Sequence, residues 1–158
     1  MAYKIPRSVL VVIHTSELEA LLIERADRPG FWQSVTGSMH EGERLDQTAV
    51  REVAEETGID ALRFELVDWS IQNRFEIFRH WNSRFPPGTT HNTERVFGLT
   101  LPERVPVTLS PREHLRYEWL PWREAAERVF SWTNADALRM LPYVTRDLAR
   151  AAAWQLPR

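Results

Sequence analysis

The sequence predicts an α/β protein in which a mixed β-sheet is sandwiched between α-helices. Short apolar runs rich in β-branched residues recur along the chain, as expected for strands. They are interrupted by an amphipathic segment at 45–57 and followed by two helical stretches near the C-terminus. Because both faces of such a sheet must be covered, the helices are expected to pack on both of them.

The predicted strands begin with residues 8–14. This run is apolar on both faces, which is typical of a strand in the interior of a sheet. The other predicted strands are residues 20–25, 31–36, 62–69, 71–81, 93–101 and 114–120. Residues 82–92, which contain Pro86-Pro87-Gly88, are predicted to form a loop.

Three helices are predicted, at residues 45–57, 121–130 and 134–153. The first ends before Gly58, since glycine is the usual residue of a left-handed C-terminal cap. The second begins with Pro121 at the favoured first helical position. No internal repeat or linker interrupts the chain, so residues 1–158 are expected to form a single domain.

The composition excludes several classes of function. The chain has no cysteine, which rules out disulfides and cysteine-based zinc or iron–sulfur sites. A net charge of −2, without a Lys/Arg-rich segment, argues against a nucleic-acid partner. The longest apolar run, residues 9–13, is too short for a membrane span or a signal-peptide core. We therefore expect a cytoplasmic protein without a membrane partner.

The helix at 45–57 carries an unusual acidic face. Its apolar arc comprises Ala49, Val50, Val53 and Ala54, and its acidic arc comprises Glu52, Glu55 and Glu56. Two of these acids lie in the last turn, where the negative end of the helix dipole and the like charges repel them. The alternative is a solvated acidic face, but a divalent cation bound by oxygen ligands, Mg²⁺ or Mn²⁺, would relieve both penalties.

Residues 37–59 follow a fixed pattern: Gly, five residues, Glu, seven residues, then Arg-Glu-apolar-any-Glu-Glu-any-Gly-apolar. The fixed places hold Gly37, Glu43, Arg51, Glu52, Val53, Glu55, Glu56, Gly58 and Ile59. This string resembles the signature of the Nudix hydrolases, which cleave a diphosphate linked to another group. The resemblance implies an α/β/α sandwich and a metal-dependent hydrolase.

The resemblance also implies roles for individual residues. It implies that Glu52, Glu56, Glu113 and the carbonyl of Gly37 bind the metal. It implies a catalytic set formed by Glu52, Glu55, Glu56 and Glu113, although an isolated acid such as Glu113 at a strand edge can be merely solvated. Arg51 is expected to pair with Glu43 and hold the loop against the helix. The five histidines lack any ligand spacing, so we expect ordinary surface or core positions for them.

Three further blocks, with Lys4 near the start, narrow the resemblance. They are residues 31–38, residues 75–78 with 87–94 and 101–103, and residues 131–134. They are similar to the bacterial dihydroneopterin triphosphate pyrophosphatases of folate biosynthesis. That similarity implies Mg²⁺-dependent release of pyrophosphate from this small-molecule triphosphate, leaving dihydroneopterin monophosphate. It also implies substrate contacts from Lys4, Arg25, Thr36, Phe75, Glu76, Ile77, Phe78 and Ser131.

Two other functions remain open at the level of the sequence. One is a general Nudix pyrophosphohydrolase acting on (deoxy)nucleoside triphosphates, because a purine and a dihydropterin are both fused ring systems. The other is a non-catalytic Nudix ligand-binding module. The intact Glu52, Glu55 and Glu56 argue against the second, since a ligand sensor has no need to retain them.

Overall fold

Seven β-strands and three α-helices form the part of the chain that the computed structural model describes, residues 2–154 for the backbone and 2–146 for the side chains. The strands are β1 Arg7–Thr15, β2 Glu19–Arg25, β3 Trp32–Gln33, β4 Val35–Ser38, β5 Glu65–Glu76, β6 His91–Leu101 and β7 His114–Pro121. The helices are α1 Leu45–Thr57, α2 Trp122–Arg128 and α3 Trp132–Trp154. Two short 3-10 helices lie at Ala61–Arg63 and Arg79–Arg84.

The strands form one mixed sheet around β1. β1 pairs in parallel with β6 along one edge, and on its other edge it pairs antiparallel with β4 and, at a single position, with β2. β5 extends the sheet beyond β6, while β3 and β7 both pair with β2. The predicted α/β class with a mixed sheet is therefore confirmed.

The two faces of β1 contribute to two separate cores, as its apolar run predicts. Val9, Val11 and Ile13 pack with the buried residues of α1. Leu10 and Val12 point to the other face and pack with buried residues of α2 and α3. The alternation follows from the two-residue period of a strand, and it places helices on both faces of the sheet.

Helix α1 has the predicted bounds but not the predicted exposure. It ends at Thr57, and Gly58 adopts φ 74° while its N–H donates to the carbonyl of Ala54 at 2.9 Å. Ala49 and Val53 are buried as expected, whereas Ala54 is exposed. Glu56, placed on the acidic arc by the sequence, is buried.

Several predicted elements differ from the structure. The two strands predicted at 62–69 and 71–81 are one strand, β5, with an irregular register between Asp68 and Ile71, and the chain beyond Glu76 leaves the sheet. The strand predicted at 31–36 is divided into β3 and β4, which pair with different neighbours. Pro121 is the residue before α2 rather than its first residue, and α3 begins at Trp132 rather than at residue 134.

Among residues 2–154, no helix is both long enough and apolar enough to cross a membrane.

Candidate active site

A cleft of about 1200 Å³ lies between the acidic face of α1, the ends of β4, β5 and β7, and the beginning of α3. Its walls contain every site residue predicted from the sequence except Glu43. Those residues are Lys4, Arg25, Thr36, Gly37, Arg51, Glu52, Glu55, Glu56, Phe75, Glu76, Ile77, Phe78, Glu113 and Ser131. The fold therefore gathers into one cavity residues that are widely separated in the chain.

The three glutamates of α1 differ in exposure, and two of them have raised pKa values. The side chain of Glu55 is 52% exposed, whereas those of Glu52 and Glu56 are 13% and 7% exposed. Burial raises the pKa of Glu52 to about 7, although Arg51 opposes the shift. Burial, together with the negative charges of Glu52 and Glu113, raises the pKa of Glu56 well above its usual value. A cation placed here would stabilise the ionised forms of these groups.

Gly37 is required by the close approach of Glu52. A Cβ atom at this position of β4 would lie 1.9 Å from Cδ of Glu52 and 2.1 Å from its Oε1. Any larger residue would therefore push the carboxylate of Glu52 out of its place. The absent side chain also leaves the backbone of Gly37 accessible from the cleft.

Arg51 ties the loop before α1 to the helix. Its Nε and Nη2 donate to the two carboxylate oxygens of Glu43 at 2.8 and 3.0 Å, and Nη2 also donates to the carbonyl of Ser38 at 2.9 Å. Nη1 donates to Glu52 at 2.8 Å and to Glu55 at 3.3 Å. The expected pair with Glu43 is present, and the Arg51 guanidinium lowers the pKa of Glu43 to about 2.

A second group of possible metal ligands comes from the start of β7. One ligand atom from each of Glu56, Glu113 and His114 lies within 4.8 Å of the others. Glu113 is exposed, while His114 is buried, with Nε2 4.0 Å from Oε1 of Glu56. Burial and the positive charge of Arg25 lower the pKa of His114 to about 4, so its imidazole is neutral at pH 7.

Two of the predicted substrate-binding residues, Lys4 and Arg25, line the same cleft but differ in the number of N–H groups left free. Arg25 already donates to both oxygens of Asp27 at 2.8 Å and to Gln33 at 3.0 Å, which uses three of its five N–H groups. Desolvation in the cleft, followed by the positive charges of Arg84 and Arg25, lowers the pKa of Lys4. The ammonium of Lys4 makes no side-chain hydrogen bond with another described residue, so all three of its donors remain available.

Aromatic rings also line the cleft. Phe78 is 40% exposed, and its ring lies 5.6 Å from the ring of His80 and 5.7 Å from that of Phe130. Phe75 is half-buried near the end of β5, and Ile77 is buried where the chain leaves the sheet. A flat ring system can pack against such a wall while its triphosphate extends toward α1.

Comparisons with known proteins agree with this geometry. The model of the NUDIX domain matches residues 4–141. The chain belongs to the Nudix family. It is 45% identical to the dihydroneopterin triphosphate diphosphatase of Escherichia coli K12 over 139 residues. This match covers 86% of this chain and 91% of that protein. The Haemophilus influenzae protein of the same name is 37% identical over 142 residues, covering 88% and 89%.

Among solved structures, the fold is similar to that of the E. coli dihydroneopterin triphosphate pyrophosphohydrolase. The TM-score is 0.84 at 43% identity, and the match covers 89% of this chain and 97% of the other. The Nudix resemblance of residues 37–59 is thereby confirmed, and so is the Nudix fold.

Nudix hydrolases generally use a divalent cation, and the acidic end of the cleft fits one. Among the described residues, Oε2 of Glu56 and Nδ1 of His114 are buried without a hydrogen-bond partner. Buried polar atoms are rarely left in this state unless a ligand, ion or water completes them. The carboxylate oxygens of Glu52, Glu56 and Glu113 are ligands of the kind that Mg²⁺ or Mn²⁺ prefers, and the neutral imidazole of His114 lies beside them.

The sequence did not indicate three polar residues of the cleft, namely His114, Asn92 and Glu94. The position of His114 beside Glu113 was its only signal, because its partner Glu56 lies far away in the chain. Asn92 and Glu94 alternate with the buried Val96 on β6, so their positions four and two residues before a core residue were a usable signal. Both are at most 5% exposed and line the cleft.

Proposed function

We propose that this chain is a Mg²⁺-dependent pyrophosphohydrolase of dihydroneopterin triphosphate, which releases pyrophosphate and leaves dihydroneopterin monophosphate. The observation that carries the proposal is the 45% identity to the E. coli diphosphatase over 91% of that protein. The continuous cleft supports it, because one cavity joins an acidic end to an aromatic wall. We also propose that residues 1–158 form one Nudix domain, as the match over residues 4–141 suggests.

At the acidic end, we propose that Glu52, Glu56, Glu113 and the Gly37 carbonyl hold the cation, with His114 beside them. A bound divalent cation neutralises phosphate oxygens and lowers the pKa of a coordinated water. Glu55 is the most exposed of the three glutamates of α1, so it is the one best placed to bind the cation through a water molecule. The role proposed for Arg51 is positional, since it holds Glu52 in place while Glu43 anchors it from behind.

The remaining candidates are proposed to hold the substrate. Lys4 would bind phosphate oxygens through its free ammonium, and Arg25 would do so with the two N–H groups that it does not already use. Phe75 and Phe78 would pack on the pterin ring. Further contacts are proposed from the cleft residues Thr36, Glu76, Ile77 and Ser131.

Pyrophosphate release from a panel of triphosphates tests the proposal. The purified protein would be assayed with Mg²⁺ on dihydroneopterin triphosphate and on the eight common ribo- and deoxyribonucleoside triphosphates. We expect kcat/KM to be about 10- to 100-fold higher for the pterin, because a mismatched ring leaves one or two buried polar groups without partners. A Glu56→Gln sample prepared in parallel measures the background rate of contaminating phosphatases. After this background is subtracted, excess chelator should abolish the rate of the wild-type protein.

A nucleotide that equals or exceeds the pterin in kcat/KM would overturn the pterin assignment. The general Nudix (deoxy)nucleoside triphosphate pyrophosphohydrolase would then be the better description. Failure of every triphosphate to react, with the cation present and the protein folded, would instead favour a non-catalytic ligand-binding module.

A further inference from the structure

Glu94 is a buried acid without a counter-ion. It lies in the middle of the sheet on β6, where it pairs with Ser8 of β1 and Asn73 of β5, and it is 5% exposed. Burial raises its pKa to about 7, and only the side chain of Thr133 opposes that shift. Its Oε1 has no hydrogen-bond partner among the described residues.

Asn92 presents a second free acceptor on the same face of β6. It is 4% exposed, and its Nδ2 donates to the hydroxyl of Ser8 at 2.8 Å. This bond fixes the orientation of the amide and leaves Oδ1, which has no partner within the described part of the chain. Two acceptor oxygens, two residues apart on one strand, are therefore buried in the wall of the cleft without a donor.

Buried hydrogen bonds connect the beginning of α3 to the sheet beside this pair. The N–H of Ser34 donates to Oδ1 of Asn134 at 2.8 Å, and Nδ2 of Asn134 donates back to the hydroxyl of Ser34 at 2.9 Å. All of these groups are buried, so the bonds hold the beginning of α3, including Thr133, against the sheet.

The missing partner is a set of neutral N–H donors rather than a metal ion. None of the groups that shift the pKa of Glu94 is another carboxylate, whereas Glu56 has both Glu52 and Glu113 nearby. A single carboxylate with an amide oxygen is a poor site for a divalent cation, which favours several charged oxygen ligands. It is a good site for a ring edge that carries adjacent N–H groups, because each carboxylate oxygen can accept from one of them.

We propose that Glu94, assisted by Asn92, binds the edge of the substrate ring that carries adjacent ring N–H and exocyclic amino donors. In a dihydropterin this edge consists of N3–H and the 2-amino group. Guanine presents the same pair, whereas adenine presents a ring nitrogen that accepts and would face the Glu94 carboxylate unfavourably. The identification of the ring as a pterin rests on the proposed function. The preference for this donor edge does not.

The variant Glu94→Gln tests the proposal, because the amide keeps the shape but replaces one acceptor with a donor. We expect kcat/KM for dihydroneopterin triphosphate to fall about 10- to 100-fold. The value for ATP should stay the same or rise, since the amide removes the carboxylate that faces the accepting ring nitrogen of adenine. The wild-type protein should prefer GTP to ATP by about tenfold or more, and the variant should lose this preference. Glu65→Gln, which removes the same charge from an exposed position of β5 outside the cleft, is the matched control. It should retain the wild-type kcat/KM for the pterin and for ATP, and the wild-type preference for GTP over ATP.

The outcomes separate this inference from the proposed function. If Glu94→Gln keeps the full pterin preference and the full GTP-to-ATP ratio, the role of Glu94 is overturned while the pterin assignment stands. If the wild-type protein prefers a nucleotide, the pterin assignment fails, and the GTP-to-ATP ratio still tests Glu94. If Glu94→Gln does not fold, Glu94→Asp can be used instead, because it keeps the negative charge on a side chain that is shorter by one methylene group. The same selective loss is expected there, and unchanged ratios in that variant would overturn the proposal.

Discussion

Glu56 and Glu94 are both almost completely buried at the cleft, yet their neighbours differ in charge. Glu56 is accompanied by Glu52 and Glu113, and the repulsion among these acids raises its pKa further. Glu94 has an amide and a hydroxyl nearby instead of other acids, and burial alone raises its pKa. An acid among acids favours a cation, whereas an acid among neutral groups favours hydrogen-bond donors. Burial alone would not have distinguished the two ends of the cleft.

The largest expected effect comes from Glu56→Gln. Replacing a proposed cation ligand should lower kcat/KM by more than about 100-fold, beyond the loss that follows when a group merely orients a ligand. The pterin-to-nucleotide ratio should stay constant, because the acidic end contacts the triphosphate that all these substrates share. Without metal, the melting temperature should be unchanged or higher, since repulsion with Glu52 is removed.

Steady-state kinetics across the substrate panel and thermal melts in chelator check this prediction. Glu113→Gln should lose less activity than Glu56→Gln, because Glu113 is exposed. A Glu56→Gln variant that keeps its rate but loses its preference for the pterin over nucleotides would contradict the roles proposed for Glu56 and Glu94.

A smaller effect is expected from Gly37→Ala. The new methyl group would overlap the Glu52 carboxylate, which can move because it is the end of a flexible side chain. The protein should fold, require a higher Mg²⁺ concentration for half-maximal rate, and lose about 10- to 100-fold in kcat/KM. Gly42→Ala is the control: Gly42 has φ 77° and open space around it, so that variant should lose stability without a changed Mg²⁺ requirement. Equal Mg²⁺ requirements in the two variants would contradict the proposed placement of Glu52.

The smallest expected effect is a pH dependence of the free energy of unfolding. Mg²⁺ should remove the part that comes from the acids proposed to bind the cation and leave the part that comes from Glu94. An acid whose folded pKa is raised contributes stability that is present at low pH and lost as the pH rises through that pKa. For Glu94, with a pKa of about 7, the free energy of unfolding should fall by about 1 kcal/mol between pH 6.5 and 8, or about 2–4 °C in melting temperature. His114 adds a smaller change of the opposite sign, because its pKa is lowered to about 4 in the folded protein while the unfolded imidazole still loses part of its proton above pH 6.5.

Glu52, whose pKa is also raised to about 7, and Glu56, whose pKa is raised well above its usual value, add losses of the same sign in chelator. Mg²⁺ should cancel the contributions of Glu52 and Glu56, because the cation favours the ionised acids, but not that of Glu94. Denaturant unfolding of the wild type and of Glu94→Gln, each with Mg²⁺ and with chelator, separates the contribution of Glu94 from that of the acids proposed to bind the cation. A pH dependence that disappears completely in wild-type protein with Mg²⁺ would place Glu94 at the cation as well.

The sequence alone determined those helices, strands and motifs whose defining residues lie close together in the chain. The 3.6-residue period and Gly58 determined the bounds of α1, and a two-faced apolar run determined β1 as the central strand. The spacing from Gly37 to Ile59 determined the family, because those residues act within one loop and one helix. The break of β5 after Glu76 was not predictable in this way, since the aromatic residues beyond it continue a strand-like pattern.

Only the tertiary structure decided which polar groups were buried and beside what. Glu52, Glu55 and Glu56 look equivalent on a helical face, and the approach of β4 and β7 to α1 is what distinguishes them. The commitment of Arg25 to Asp27 and Gln33, and the pairing of β6 with β1 that buries Glu94 beside Ser8, follow from the same assembly. The physical reason is that desolvation and charge depend on neighbours in space, and most of these neighbours lie on other elements of the chain.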